Sequence, residues 1–359
     1  MPAMLVLSNE EVGRLLSIEE CMEALESMYR DLAQGRALLS PRVDNIAPNA
    51  HPGGYYAFKH MGGTWPAQGV QALRINSDVI THPAVAGKVR RVKQPLAGGR
   101  WVGLVLLFST ETGALLAMFP DGVMQRLRVG AANGIAMKRL AREDVSTLAL
   151  IGGGWQAGAQ LMAALATRPF REVRVYSPRR ESREAFVREA RERHRVNIDT
   201  AESAQACVAG ADVLMAATSS MVRVIEPKWL ERGMHVSCIK TQEIDGEVLE
   251  RCDRVFVHTR EQAKQLDNVM KDTPNVTRRK NQGWWNEIRE NPRRYPDLGE
   301  LLTGLAPARE RDDEITCFVN NVGMGLQFAA AGALVLRKAR EAGVGTELPD
   351  DWFSEDVHP

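Results

Sequence analysis

The chemistry most legible in this 359-residue chain lies at Gly152-Gly153-Gly154-Trp155-Gln156-Ala157, a G-x-G-x-x-A pattern directly after the apolar run 147–151. Glycine at 152 permits a tight turn, and glycine at 154 lets the backbone approach a pyrophosphate. Alanine at 157 lets a helix pack close to a strand, while Trp155 and Gln156 open that helix with its free N–H groups facing the phosphates. Alone, such a match is weak and reads as a glycine-rich turn. The flanking strand, the helix behind it and a second strand over 173–176 make it a dinucleotide site. That second strand ends in Ser177-Pro178-Arg179-Arg180. An acid there would bond a ribose 2′-OH and repel a 2′-phosphate. Ser177 can instead donate to a phosphate oxygen, and Arg179 or Arg180 can clamp it with a planar fork. NADP(H) is therefore favoured, with NAD(H) as the alternative through Glu181; the plainer account is that these arginines open a solvated helix. Thr218 and Ser219 follow the apolar run 213–217, at the sheet edge where a nicotinamide ribose lies in such folds.

The elements needed to hold this site alternate in type. Strands are expected over 147–151, 173–176, 213–217, 235–239 and 254–258, with helices over 156–166 and 180–194, a parallel sheet covered on both faces. Before it the text is different. Ser17 stands three residues before Glu20 as a capping box, opening a helix that Gly35 ends. Strands follow over 55–58, 102–108 and 114–119, the last two joined as a hairpin at Glu111-Thr112-Gly113. The basic stretch 87–93 reads as a solvated loop. A helix is expected over 128–140, a loop with a short helix over 268–295, and a final Ala- and Leu-rich helix over 324–342. The fold class is thus α/β: a Rossmann-type parallel-sheet domain over 139–310 plus an α+β substrate and dimerisation domain over 1–138, completed by 311–345.

Composition narrows the function. Lys plus Arg number 46 against 45 Asp plus Glu, a net charge of +1, which provides no global field for nucleic acid. The five cysteines are scattered and never form C-x-x-C, the pattern of reduced core residues, so no metal site is expected. No signal-peptide pattern and no membrane-length apolar run is read, and the expected location is the cytoplasm.

Gln125-Arg126-Leu127-Arg128-Val129-Gly130-Ala131-Ala132, then Leu140-Ala141-Arg142 and the glycine loop, closely resemble the ornithine cyclodeaminase and mu-crystallin family. The likeness continues through Pro227-Lys228-Trp229-Leu230, Leu298-Gly299-Glu300-Leu301 and Asp313-Glu314-Ile315-Thr316 to Val322-Gly323, in order along nearly the whole chain. It implies a homodimer with a Rossmann domain inserted before a returning C-terminal helix, and Cys238, Ile239, Val322 and Gly323 beside the cofactor. It also implies two arginines and a lysine around a substrate carboxylate. Arg128 matches one arginine and Arg42 the other; Arg74 takes the lysine's place by position, with Lys59 the second candidate.

Two departures shape the functional reading. The aspartate that cyclodeaminases carry after the fifth strand is missing from Ile239-Lys240-Thr241-Gln242-Glu243, leaving Lys240 or Glu243 to handle a proton. Val129 replaces a threonine and Asn320-Asn321 a serine, so the substrate pocket differs. The expectation is an NAD(P)H-dependent oxidoreductase acting on the C–N bond of a small carboxylated amine, imine or 2-oxo acid, as a ketimine or imine reductase or an amino-acid dehydrogenase. The alternatives are a cyclodeaminase-type lyase with bound NAD and a non-catalytic NADP(H)-dependent binding protein.

Overall fold

The computed structural model describes residues 3–85, 88–261, 264–266 and 294–357. Most of the expected loop over 268–295 therefore lies outside the described residues. The described chain forms two main sheets. Seven parallel strands run in the order Asn197–Thr200, Glu172–Tyr176, Thr147–Ile151, Val213–Ala216, His235–Cys238, Thr316–Val319, Arg254–Val257. The direction of winding reverses between Thr147–Ile151 and Val213–Ala216, which creates a crevice at their carboxyl ends. Gly152 lies there with φ +133°, and a Cβ on it would collide with the Ala217 carbonyl, so glycine is required. The strands Leu148-Ala149-Leu150-Ile151 and Val213–Ala216 are wholly buried because helices cover both faces.

The other sheet has ten strands, mostly antiparallel. Its path is Lys264–Leu266, Val43–Pro48, Gly54–Trp65, Val70–Thr81, Val102–Ser109, Leu115–Pro120, Met4–Val6, Thr346–Leu348. One face carries the helices Ile18–Ala33 and Gly325–Ala342 over a core containing Tyr29, Met61, Leu107, Phe119 and Phe328. The backbone of the second helix touches the strand so closely that a Cβ on Gly325 would overlap Gly62. The helix Gly122–Leu140 lies between the two sheets, buried along most of its length, and its small residues let Trp155–Thr167 pack against it. The capping box at Ser17 and Glu20 forms as expected.

Several expectations need correction. The central helix starts at Gly122 rather than 128; Asp121 makes no side-chain cap hydrogen bond there and takes Arg74 instead. The strand Val70–Thr81 was not anticipated because its alternation is inverted: Arg74, Asn76 and Asp78 point inward, while Leu73, Ile75 and Val79 are half-buried on the outer face. The basic stretch 87–93 is not simply a solvated loop, since Val92–Gln94 pairs with Val79–Thr81 and Lys93 forms an ion pair with buried Asp78. Thr316–Val319 belongs to the parallel sheet, so the chain returns to the other sheet at Gly325 rather than at 311, and Lys264–Leu266 pairs with Val43–Asn45 there. Each shift comes from a long-range pairing that no local pattern marks. Among the described residues no helix is long and apolar enough to cross a membrane.

Candidate active site

The glycine loop, the second-strand end and the later loops meet at the carboxyl edge of the parallel sheet. Helix Trp155–Thr167 begins with Gly154 as its N-cap and no side chain bonded to the first amides. A Cβ at Gly154 would meet open space. Ala157 is fully buried, and the exposed Trp155 ring has the Arg126 guanidinium 5.7 Å from its centre. The Gln156 Oε1 atom is buried without a hydrogen-bond partner. Free amides, a glycine-lined approach and an orphaned buried acceptor together fit a dinucleotide.

Next to this loop, the Ser177 carbonyl accepts from Arg183 at 3.1 Å, and Arg183 stacks over Tyr176 at 5.7 Å. Arg179 is exposed and makes no ion pair among the described residues. Arg180 differs from expectation: its fork is held by Glu184 at 2.7 Å, one helical turn on. Arg183 was missed by sequence reasoning, which had no sign that this helix residue turns back to the strand end.

Glu243 also departs from its expected role. It is fully buried, and its carboxylate accepts from the Thr218 amide and hydroxyl at 2.5 and 2.7 Å and from the Ile239 amide at 2.9 Å. Burial pushes its pKa up, opposed by Lys240 and these donors. Glu243 thus fastens the loops after two adjacent strands, which sets Thr218 and Ile239, and is not positioned as a proton carrier. Ser219 is exposed beside it, while Cys238 is buried with its thiol pushed up by burial. Lys240 is half-buried, and burial lowers its pKa, aided by Arg91 and Arg90 against the opposing pull of Glu243.

The other wall holds the cations. Arg42 makes a two-point pair with Asp44 at 2.7 and 2.8 Å. Arg74 reaches Asp121 at 2.6 Å, and Asn76 supports the same oxygen. Lys59 bonds Asp78 at 2.5 Å, and Lys93 takes the other Asp78 oxygen at 2.9 Å. Burial, with Arg91 and Lys93 nearby, brings Lys59 down to about 7 despite Asp78. Arg128 is different: it meets no carboxylate among the described residues and bonds only Gln125 and Gln327, with the Phe328 ring 5.4 Å away. Its guanidinium lies against Gly323, where a Cβ would come within 3.0 Å. Burial lowers it to about 9, with Arg74 and Arg42 adding to that.

A buried chain of polar groups, invisible in the sequence, holds Arg128 in place. Gln327 accepts from Arg128 at 2.9 Å and donates to Tyr29 Oη at 2.9 Å. Tyr29 bonds His258 Nε2, and His258 Nδ1 lies 2.7 Å from the Val322 carbonyl. That carbonyl can only accept, so Nδ1 carries the proton and Tyr29 donates to Nε2. Burial and Arg128 lower His258 to about 3, which keeps it neutral. Arg128 and the Val322-Gly323 turn are thereby linked across both sheets.

The doubly wound sheet with a glycine loop at its switch point defines a nucleotide-binding α/β protein. Within that class, the Ornithine cyclodeaminase/mu-crystallin family pattern matches residues 3–343, and this chain belongs to that family. It is 32% identical over 357 residues to the alanine dehydrogenase of Archaeoglobus fulgidus, covering 96% of this chain and 98% of the relative. Among solved structures it resembles an archaeal alanine dehydrogenase dimer with bound NAD, at 26% identity and TM-score 0.75 over 96% of this chain and 99% of that one. Thermococcus litoralis Delta(1)-pyrroline-2-carboxylate reductase, in complex with NADH and L-proline, shares the fold at 24% identity and TM-score 0.76, covering 96% and 100%.

Proposed function

We propose that this protein is an NADP(H)-dependent oxidoreductase acting on the C–N bond of a small carboxylated amine or imine. The observation that carries this reading is the buried Arg128, which meets no carboxylate among the described residues and is held against Gly323, beside the carboxyl edge where the glycine loop receives a dinucleotide. A buried guanidinium without a carboxylate partner gains a charge-assisted two-point contact when a ligand carboxylate binds it. When bound, the cofactor supplies or accepts a hydride. In the reducing direction the substrate C=N carbon gains that hydride and its nitrogen gains a proton, so one imine, one reduced nicotinamide and one proton give one amine and one oxidised nicotinamide.

Arg128 holds the substrate carboxylate, with the unpaired side of the Arg42 guanidinium as second donor. Lys59, near neutrality, and Lys240 are the groups able to hold or deliver a proton in the cleft. Arg74 acts through its bond to Asp121, which orders the start of the central helix. Glu243 fixes the Thr218 and Ile239 loops. Ser177 and Arg179 favour a 2′-phosphate, whereas the two solved relatives named above carry NAD and NADH. We further propose that the ten-stranded sheet with helix Gly325–Ala342 forms the substrate-binding unit and the seven-stranded sheet the cofactor unit. Two chains would join through the outer face of the larger sheet, where Leu73, Ile75, Leu104, Leu106, Phe108 and Met118 are half-buried and apolar. The archaeal alanine dehydrogenase dimer supports such an assembly.

The deciding experiment is a screen of 2-oxo acids with ammonia or methylamine, and of cyclic imines, following NADPH absorbance. Stoichiometric nicotinamide consumption is expected. A cyclodeaminase-type lyase would give product without net consumption, and a binding protein would give neither.

A further inference from the structure

Around the cleft the acids are already taken. Asp44 holds Arg42, Asp121 holds Arg74, and Asp78 is shared between Lys59 and Lys93. Arg128, Lys240, Arg90 and Arg91 are among the cations there that meet no carboxylate within ion-pair distance among the described residues. Lys240 has Glu243 near it, but both Glu243 oxygens are bonded to Thr218 and Ile239.

Arg91 is held in a defined place. The strand Val92–Gln94 runs antiparallel to Val79–Thr81 with Lys93 opposite Ile80, and Lys93 turns inward to Asp78. Arg91 stands between this strand and the β-bridge made by Arg90, so its backbone is fixed on both sides, and it is half-buried. Arg90 forms a β-bridge with Ser220, on the loop after Val213–Ala216 of the parallel sheet, and its amide donates to the Pro83 carbonyl. The stretch is thereby pinned at both ends across the cleft. The half-buried Arg91 charge is felt by Lys59 and His82 on one wall and by Lys240 on the other.

One substrate carboxylate at Arg128 leaves this second cluster uncompensated. We infer that Arg91 receives a second anionic group, so that the substrate is an amine or imine acid with a further carboxylate at the end of its side chain. This inference rests on the proposed oxidoreductase function. The planar fork of Arg91 matches a carboxylate in two-point geometry, and Lys93 beside it adds charge. The basic stretch is then a specificity element, bridging the two sheets over the substrate side chain.

The test compares NADPH oxidation with methylamine and either oxaloacetate or 2-oxoglutarate, against pyruvate or 2-oxobutyrate. The dicarboxylic acids should show at least about tenfold higher kcat/KM, the worth of one charge-assisted contact. Arg91→Ala should lower the dicarboxylic-to-monocarboxylic ratio about tenfold, and Arg91→Lys should restore part of it. Equal handling of both classes by the parent, or an equal loss for both in Arg91→Ala, overturns the inference. If no acid supports NADPH consumption, the oxidoreductase reading fails, and binding decides the inference separately. Succinate should then perturb bound-NADPH fluorescence at lower concentration than propionate, an advantage lost in Arg91→Ala; equal effects of the two acids overturn it.

Discussion

Replacing Arg128 by methionine should separate stability from activity in opposite directions. The guanidinium is held at about 9 against an ordinary 12.5, mainly by burial. At about 1.36 kcal/mol per unit, keeping it protonated at neutral pH costs on the order of 5 kcal/mol in the ligand-free protein. The sign follows from proton counting. The unfolded chain binds more protons between about 9 and 12.5, so this cost is fully present below about 9 and fades as pH rises above it. Methionine removes the charge and keeps an apolar side chain against Phe328, but leaves Gln125 and Gln327 short of a partner, which takes back roughly 1 to 3 kcal/mol. A net gain of about 2 kcal/mol should raise Tm by a few degrees in differential scanning fluorimetry at pH 7 without substrate. Catalysis should move the other way: losing the carboxylate clamp costs roughly 2 to 5 kcal/mol, a fall of about 30- to several-thousand-fold in kcat/KM. Lysine should recover only part of that loss, because it keeps the charge without the fork. NADPH affinity should barely change. A kcat/KM within threefold of the parent would exclude Arg128 as the clamp, and a Tm several degrees lower would refute the desolvation argument.

Three further outcomes are expected. NADPH should bind more tightly than NADH in fluorescence titrations, and Arg179→Ala should narrow the gap by about tenfold; NADH binding at least as well in the parent would show that Ser177 and Arg179 are not a phosphate site. Lys59, at about 7 in the fold against 10.5 when unfolded, should give kcat/KM an ionisation near neutrality that disappears in Lys59→Met. The same depression makes stability from this group rise with pH between about 7 and 10.5, since the unfolded chain holds the extra proton there; a neutral-pH ionisation that persists in the variant assigns it elsewhere. Light scattering at micromolar concentration should find a dimer, and Leu73→Glu with Leu106→Glu, neighbours across paired strands, should give monomers that still bind NADPH; a monomeric parent would contradict the proposed interface.

The readings that succeeded from sequence are those whose physics is local. A strand, a glycine turn and a helix start are written within a dozen residues, because backbone sterics and free amides at 152–157 depend on near neighbours alone. The parallel strands were legible because burial on both faces makes them continuously apolar, and Ser17 with Glu20 announced a cap that needs only three residues. The family likeness extended this by matching short motifs in order.

What tertiary structure decided is which charges are already spent. In the sequence, Arg42, Arg74, Lys59 and Arg128 were all candidates to receive the carboxylate, with Lys59 second to Arg74. Only the folded chain shows that the first three have Asp44, Asp121 and Asp78 as partners and that Arg128 has none among the described residues. Apart from Arg42 and Asp44, these pairs join residues 19 to 47 positions apart, distances at which no periodicity operates. Glu243 looked like a proton carrier and is a fastening between loops; the basic stretch looked solvated, yet its Val92 and Lys93 pair with the strand Val70–Thr81 and Lys93 reaches buried Asp78. In each case the sequence specifies the charge, whereas the energy of that charge depends on burial and on a partner that arrives from another strand.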